Sequence, residues 1–148
     1  PLNRALRIDK FTLAALEATL IHYLAPDAAP RTLRSLKALT EPQGDVKKRA
    51  RKLIQKLKRA NIPHLTYELK EAKAAAGGGS LPTEDIPTIV VAVQHAKMSA
   101  SRMEAKLRSA TVPVIVRVDQ DEILLDLRTV AEDEFGFILD GLKSTNVS

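Results

Sequence analysis

Cysteine and tryptophan are absent from these 148 residues. The lack of cysteine excludes a disulfide framework, a thiolate metal site and a cysteine nucleophile together. Aromatics are scarce as well: Phe11, Tyr23, Tyr67, Phe135 and Phe137 are all there are. Any core must therefore be built from Leu, Ile, Val and Ala, and base stacking on a nucleic acid is not indicated. No apolar run approaches the roughly 18 residues of a membrane-spanning helix, and no signal-peptide pattern is present. A cytoplasmic domain without membrane contact is expected. The three histidines, His22, His64 and His95, lie far apart with no ligand spacing between them, so neither a metal site nor a catalytic triad is expected.

What is present is a normal globular composition, 45% apolar and 28% charged, enough for one domain with a core of its own. The net charge of +5 is unevenly spread. Residues 111–148 hold three basic and eight acidic residues, a net of −5, so residues 1–110 carry +10. A basic front and an acidic back suit a partner bearing phosphates, although a basic surface also serves solubility.

Helical spacing of Leu13, Leu16, Leu20 and Leu24, with Asp9 as a cap, predicts a helix over 9–24. Pro26 and Pro30 interrupt the chain, and a short helix is expected over 31–39. A third helix runs from the turn at Pro42 to about Ala60, burying Val46, Ala50, Leu53 and Leu57, with Ile54 widening the stripe. Leu65–Leu69 alternates as a strand, residues 74–82 (AAAGGGSLP) form a loop, and Thr88–Val93 reads as a central strand. A helix from Ser99 or Ser101 to Ser109 follows. Val112–Val118 and Glu122–Leu127 make a hairpin, and a last helix spans about Ala131–Leu142. The order is three helices and then ββαββα, an α+β domain with an antiparallel sheet covered by helices on one face. Residues 1–148 are taken as a single domain, 1–24 a long linking helix and 25–148 an α+β small domain. With no initiator Met, the chain is expected to be the tail of a longer protein, leaving the stripe Leu13, Leu16 and Leu20 partly uncovered.

Several residues could carry chemistry. Arg4 and Arg7 share a side if their turn is helical, and each offers a planar fork for a phosphate-like oxyanion; a pair of surface arginines is the plainer alternative. Lys10 follows Asp9, but nothing around it supplies the depressed pKa or phosphate cup of a Schiff-base lysine. Gly77, Gly78, Gly79 and Ser80 offer unhindered backbone N–H groups and a hydroxyl, without the lysine and helix of a P-loop. The third helix holds Lys47, Lys48, Arg49, Arg51, Lys52, Lys56, Lys58 and Arg59, eight basic residues in thirteen and no acid. Such a run is ordinarily a solvated face. It can also grip RNA phosphates without sequence preference, with Lys47, Lys48, Arg51, Lys52, Lys58 and Arg59 as the contacts.

Three stretches together resemble one family. They are RALRIDK at 4–10 followed by TLAALEATL, GGGSLP at 77–82, and LLDLRTV at 124–130. Through them nearly the whole chain, least specifically 25–70, resembles the C-terminal part of bacterial selenocysteine synthases, the L-seryl-tRNA(Sec) selenium transferases. The resemblance implies the C-terminal domain of the pyridoxal phosphate (PLP) fold-type I, aspartate aminotransferase-like architecture. It further implies a homo-oligomeric parent that converts seryl-tRNA(Sec) to selenocysteinyl-tRNA(Sec) with selenophosphate. PLP would be held by a lysine upstream of this chain, leaving no catalytic residue here and an inactive isolated fragment. Arg4 and Arg7 would hold selenophosphate or phosphate, and Gly77, Gly78, Gly79 and Ser80 would form an active-site loop. Relatives of this fold receive a substrate carboxylate on an arginine of the last domain. That carboxylate is esterified in seryl-tRNA, so Arg128 is expected in a structural ion pair with Asp126 or Glu132. Two alternatives stay open: another PLP enzyme of the superfamily, such as a sugar-acid ammonia lyase, and a stand-alone RNA-binding or assembly module.

Overall fold

The computed structural model describes residues 7–74 and 86–146, which belong to two compact units divided between Thr40 and Glu41. In the first unit, α1 (Lys10–His22) starts where Asp9 caps it. One carboxylate oxygen accepts the Phe11 and Thr12 amides, each at 2.9 Å, and the other accepts the Thr12 hydroxyl at 2.6 Å. These satisfy donors that every helix start leaves open. No residue of α1 is buried; Leu13, Leu16, Leu20, Ile21 and Leu24 are all exposed.

The short helix expected over 31–39 is two helices, α2 (Ala29–Thr32) and α3 (Arg34–Thr40). Pro30 lies inside the first turn of α2, where its missing N–H costs nothing. Leu33 is extended at φ −97°, ψ 103°, which ends α2 and separates the pair.

In the second unit, α4 (Gln43–Ala60) buries Val46, Ala50, Leu53 and Leu57, the stripe its spacing predicts. Asn61 closes α4 in the left-handed conformation (φ 46°), one of the few non-glycine residues at home there. The sheet is fully antiparallel, in the order β1-β2-β4-β3: β1 (Leu65–Ala74), β2 (Ile86–His95), β3 (Arg117–Asp119) and β4 (Glu122–Asp126). The strands β1 and β2 are ten residues each, longer than the alternation alone predicts. The loop expected at 74–82 lies, from residue 75 on, outside the described residues. The observed elements make an α+β domain.

The expected strand 112–118 shrinks to β3. Pro113 has no N–H to give a ladder, and the Val114 amide donates to Leu107 O at 3.0 Å, tying this segment to a helix end instead. Gln120 and Asp121 (φ 46° and 59°) form the two-residue turn to β4, the conformation that hairpin twist demands. Asp121 Oδ1 also accepts the Ala100 amide at the start of α5 (Ala100–Arg108). A 3₁₀ turn, Glu132–Glu134, leads into α6 (Phe135–Ser144), so the last helix starts later than expected.

Strand alternation gives the sheet two unlike faces. One carries Ile89, Val91, Val93, Ile123 and Leu125 against Leu53 and Leu57 of α4, Met103 and Leu107 of α5, and Ile138 and Leu142 of α6. The other centres on Val90, Ala92 and Leu124, framed by polar pairs. Lys70 Nζ meets Glu122 Oε2 at 2.5 Å, Gln94 donates to Glu122 at 2.6 Å, and Thr88 donates to Asp126 at 2.8 Å. The Glu122 carboxylate beside Lys70 raises the affinity of that amine for its proton.

Arg49 joins α4 to the far end of the sheet. Its guanidinium forks onto Glu41 (NH1 to Oε1 2.7 Å, NH2 to Oε2 2.5 Å) and donates through Nε and NH2 to Leu127 O at 3.0 and 2.5 Å. Both side chains are nearly buried, 12% and 9% exposed. The Glu41 carboxylate holds the Arg49 proton more tightly still. Arg128 adds NH1 to Glu41 O at 2.9 Å and NH2 to Pro87 O at 2.6 Å.

Two outcomes follow from these contacts. Arg49→Met should cost about 3–5 kcal/mol, because it takes the two-pronged guanidinium contact from the nearly buried Glu41 carboxylate, whereas Lys52→Met, which breaks an exposed pair with Glu132, should cost about 0–1 kcal/mol. Urea denaturation checks this; equal midpoints for the two variants would contradict it. The second concerns Asp9, whose carboxyl is held below its ordinary 3.8 chiefly by the Thr12 hydroxyl. A depressed folded pKa means that the cap's contribution is present above the unfolded value and is lost as pH falls through the folded one. The amide shifts of Phe11 and Thr12 should therefore titrate with a midpoint below 3.8; a midpoint at or above it would refute the assignment.

Candidate functional site

Arg7 precedes the Asp9 cap by two residues and is exposed, in non-helical backbone. The Asp9 oxygens are taken up by the start of α1, and Arg7 has no ion-pair partner among the described residues. Its guanidinium is a free fork beside a helix start. Arg4, Gly77, Gly78, Gly79 and Ser80 lie outside the described residues.

Lys10 is exposed in the first turn of α1. A Schiff-base lysine needs a buried amine that loses its proton readily. The lysines with displaced pKa values, Lys48 and Lys70, are displaced the other way, each by a hydrogen-bonded carboxylate. The described residues do not fit a PLP site.

The folded chain sorts the basic run on α4 into three kinds. Arg49 points inward and is structural. Lys48 and Lys52 are exposed but neutralised, Lys48 by Asp45 at 2.8 Å and Lys52 by Glu132 at 2.7 Å. Arg51, Lys56, Lys58 and Arg59 are exposed, Lys47 is half-buried, and none of the five has a carboxylate partner among the described residues. The pairing of Lys52 was not visible in the sequence, since Glu132 lies 80 residues away.

Arg128 is structural, though its partners differ from those expected. Of the two expected carboxylates, Glu132 pairs with Lys52, and Asp126 accepts the Arg128 backbone amide at 3.0 Å while lying 3.6 Å from Arg117. The guanidinium itself serves the carbonyls of Glu41 and Pro87.

Two features escaped the sequence reading. His64 and His95 come together at the β1–β2 end, ring centroids 5.8 Å apart. His95 accepts the Lys97 amide at Nδ1 (3.1 Å), which leaves Nε2–H to donate to Asn146 Oδ1 at 3.2 Å. Both ring nitrogens are thus engaged, and no group of three metal-ligating side chains exists among the described residues. The strand register Leu65↔His95 brings the two rings together, and only the pairing could have revealed it. The second is a groove between α5 and α6, lined by Lys106, Ser109, Val112, Phe137, Asp140 and Ser144. The Ser109 and Ser144 hydroxyls are spent on carbonyls of their own helices. No described helix is long and apolar enough to cross a membrane.

Comparison with known proteins places this geometry. The family model described as L-seryl-tRNA selenium transferase matches residues 1–131. The L-seryl-tRNA(Sec) selenium transferase of Alkaliphilus metalliredigens is 43% identical over 97% of this chain and 31% of its own length. Those of Clostridium botulinum and Clostridium perfringens are 42% and 37% identical, each over 96% of this chain and 30% of their own. The chain thus spans about a third of the length of these relatives. With a family model matched from residue 1 to residue 131, through both RALRIDK and LLDLRTV, the chain belongs to the L-seryl-tRNA selenium transferase family.

Proposed function

We propose that this chain is the C-terminal domain of a PLP-dependent selenium transferase that converts seryl-tRNA(Sec) to selenocysteinyl-tRNA(Sec) with selenophosphate. The family match through residue 131 carries this reading. The small-domain architecture of PLP fold-type I goes with it, as do a cytoplasmic reaction and a homo-oligomeric enzyme. PLP is held by a lysine outside this chain; none of the lysines described here is buried, and Lys48 and Lys70 are bound to carboxylates. This domain supplies charge and positioning, and the isolated chain is inactive.

Within that reading Arg4 and Arg7 bind the anionic selenium donor or the phosphate it leaves. The support on Arg7 is its free, exposed guanidinium beside a carboxylate already committed to a helix cap. A planar fork matches two oxygens of a phosphate-like group, which a lysine ammonium cannot do. The glycines 77–79 and Ser80 would bring backbone N–H groups toward the same anion. The basic surface of α4 faces the tRNA.

In the full-length enzyme, Arg4→Ala or Arg7→Ala should leave stability within about 0.5 kcal/mol. Loss of one charge-assisted contact should weaken donor binding by about 1.5–3 kcal/mol, roughly ten- to a hundredfold. Arg→Lys should keep most of the defect. Wild-type dependence on selenophosphate in both Ala variants, or simple unfolding, would remove the pair from the donor site. The chain alone, mixed with PLP and freed of excess cofactor, should retain no covalent adduct on any single lysine by peptide mapping. A stoichiometric adduct on one lysine, Lys10 above all, would overturn the placement of the cofactor.

A further inference from the structure

The geometry points to a narrow docking stripe for double-helical RNA on α4, made of Lys47, Arg51 and Lys58, with the neighbouring Lys48 and Lys52 excluded from it. The inference rests on the reading of the chain as part of a tRNA-modifying enzyme and says which residues of that basic surface meet the RNA.

Three observations lead there. First, residues four and seven apart share a helix flank. Lys47, Arg51 and Lys58 therefore align along one side of α4, with the half-buried Ile54 among them. At about 1.5 Å per residue the stripe is about 16 Å long. Second, the opposite flank is fenced. Lys48 is neutralised by Asp45 and Lys52 by Glu132, and both carboxylates would repel a phosphate approaching from that side. Arg59 stands on that flank too, past its last ion pair. Lys56 and Arg59 are also without a carboxylate partner among the described residues, but only 47–51–58 sets three such cations in one row along α4.

Third, α4 carries no aromatic residue at all, and the exposed Phe, Tyr and Trp residues of the second unit reduce to Phe137 on α6. Single-stranded RNA is held by stacking its bases on aromatic side chains. A row of cations without such platforms matches the regular phosphates of a duplex, whose bases are already stacked. The contact is to backbone and carries no sequence information.

The test measures the salt dependence of tRNA binding by the full-length enzyme, for wild type, for Lys47→Gln/Arg51→Gln/Lys58→Gln, and for Lys48→Gln/Lys52→Gln. Each duplex phosphate contact contributes about 0.9 to the slope of log K against log salt. The triple variant should lose about 2–3 from that slope, and the double variant less than about 1. The charge-keeping Lys47→Arg/Arg51→Lys/Lys58→Arg should restore the wild-type slope, which a folding defect would not permit. An unpaired RNA of equal length should compete less well than a duplex. A wild-type slope in the triple variant, or equal losses in the two sets, overturns the stripe while leaving the enzyme assignment in place. Equal competition by unpaired RNA overturns the duplex preference. A triple variant that binds RNA normally but loses self-association would make this flank a protein interface and end the RNA proposal. A wild-type enzyme that binds no tRNA sinks both readings.

Discussion

The second unit hangs on one guanidinium. Arg49 leaves the basic surface of α4 and reaches inward to Glu41 on one side and to the carbonyl of Leu127 on the other. Three pieces of chain far apart in sequence meet there: the entry to α4, the exit from β4, and through Arg128 the start of β2. A lysine could not make this junction, because it offers one point charge where two carboxylate oxygens and a carbonyl must be met at fixed angles. Burial makes the geometry matter. In water the pair would be worth little, but nearly out of water each partner depends on the other.

With α4 fixed in this way, the rest of the domain becomes a support for its outer surface. The apolar face of the sheet and helices α5 and α6 hold the inner stripe of α4. The acidic C-terminal quarter supplies Glu132, which disarms one of the basic residues on the outside. The charge asymmetry along the chain thus acts in three dimensions: the acidic back trims the basic front. The far face of the sheet follows a different rule, a small apolar centre held by crossed pairs such as Lys70–Glu122 and Thr88–Asp126.

Much of this was legible in the sequence because its signals are local. The stripe of α4, the cap at Asp9, the central strand with its β-branched run and the helix after Ser99 depend on residues within one or two turns of each other. What could not be read depends on distant partners. The strand at 112–116 fails because the Val114 amide is claimed by Leu107, and the break at Leu33 is set by backbone angles that no composition signals. The basic run shows the same limit at the candidate site. Eight similar residues in sequence become one buried junction, two neutralised pairs and five charges without a carboxylate partner among the described residues, and only the fold tells them apart. The motif RALRIDK pointed to the family, whereas the environment of Arg7 became visible only with the cap beside it.

The Arg49 junction also orders events during synthesis. Its carboxylate partner is eight residues upstream and is made first, but its carbonyl acceptor at Leu127 emerges 78 residues later. Until then α4 can wind and its apolar stripe can collapse onto the β1–β2 hairpin, yet the guanidinium has half of its acceptors. Closing a loop of that length is an entropic barrier met late, after most of the domain's apolar contacts exist. A ribosome that stalls before Leu127 would therefore display a collapsed but unlocked domain, open to proteases at the entry to α4. Completion of β4 is the moment at which the guanidinium gains its second acceptor, with the core residues of α6 still to come.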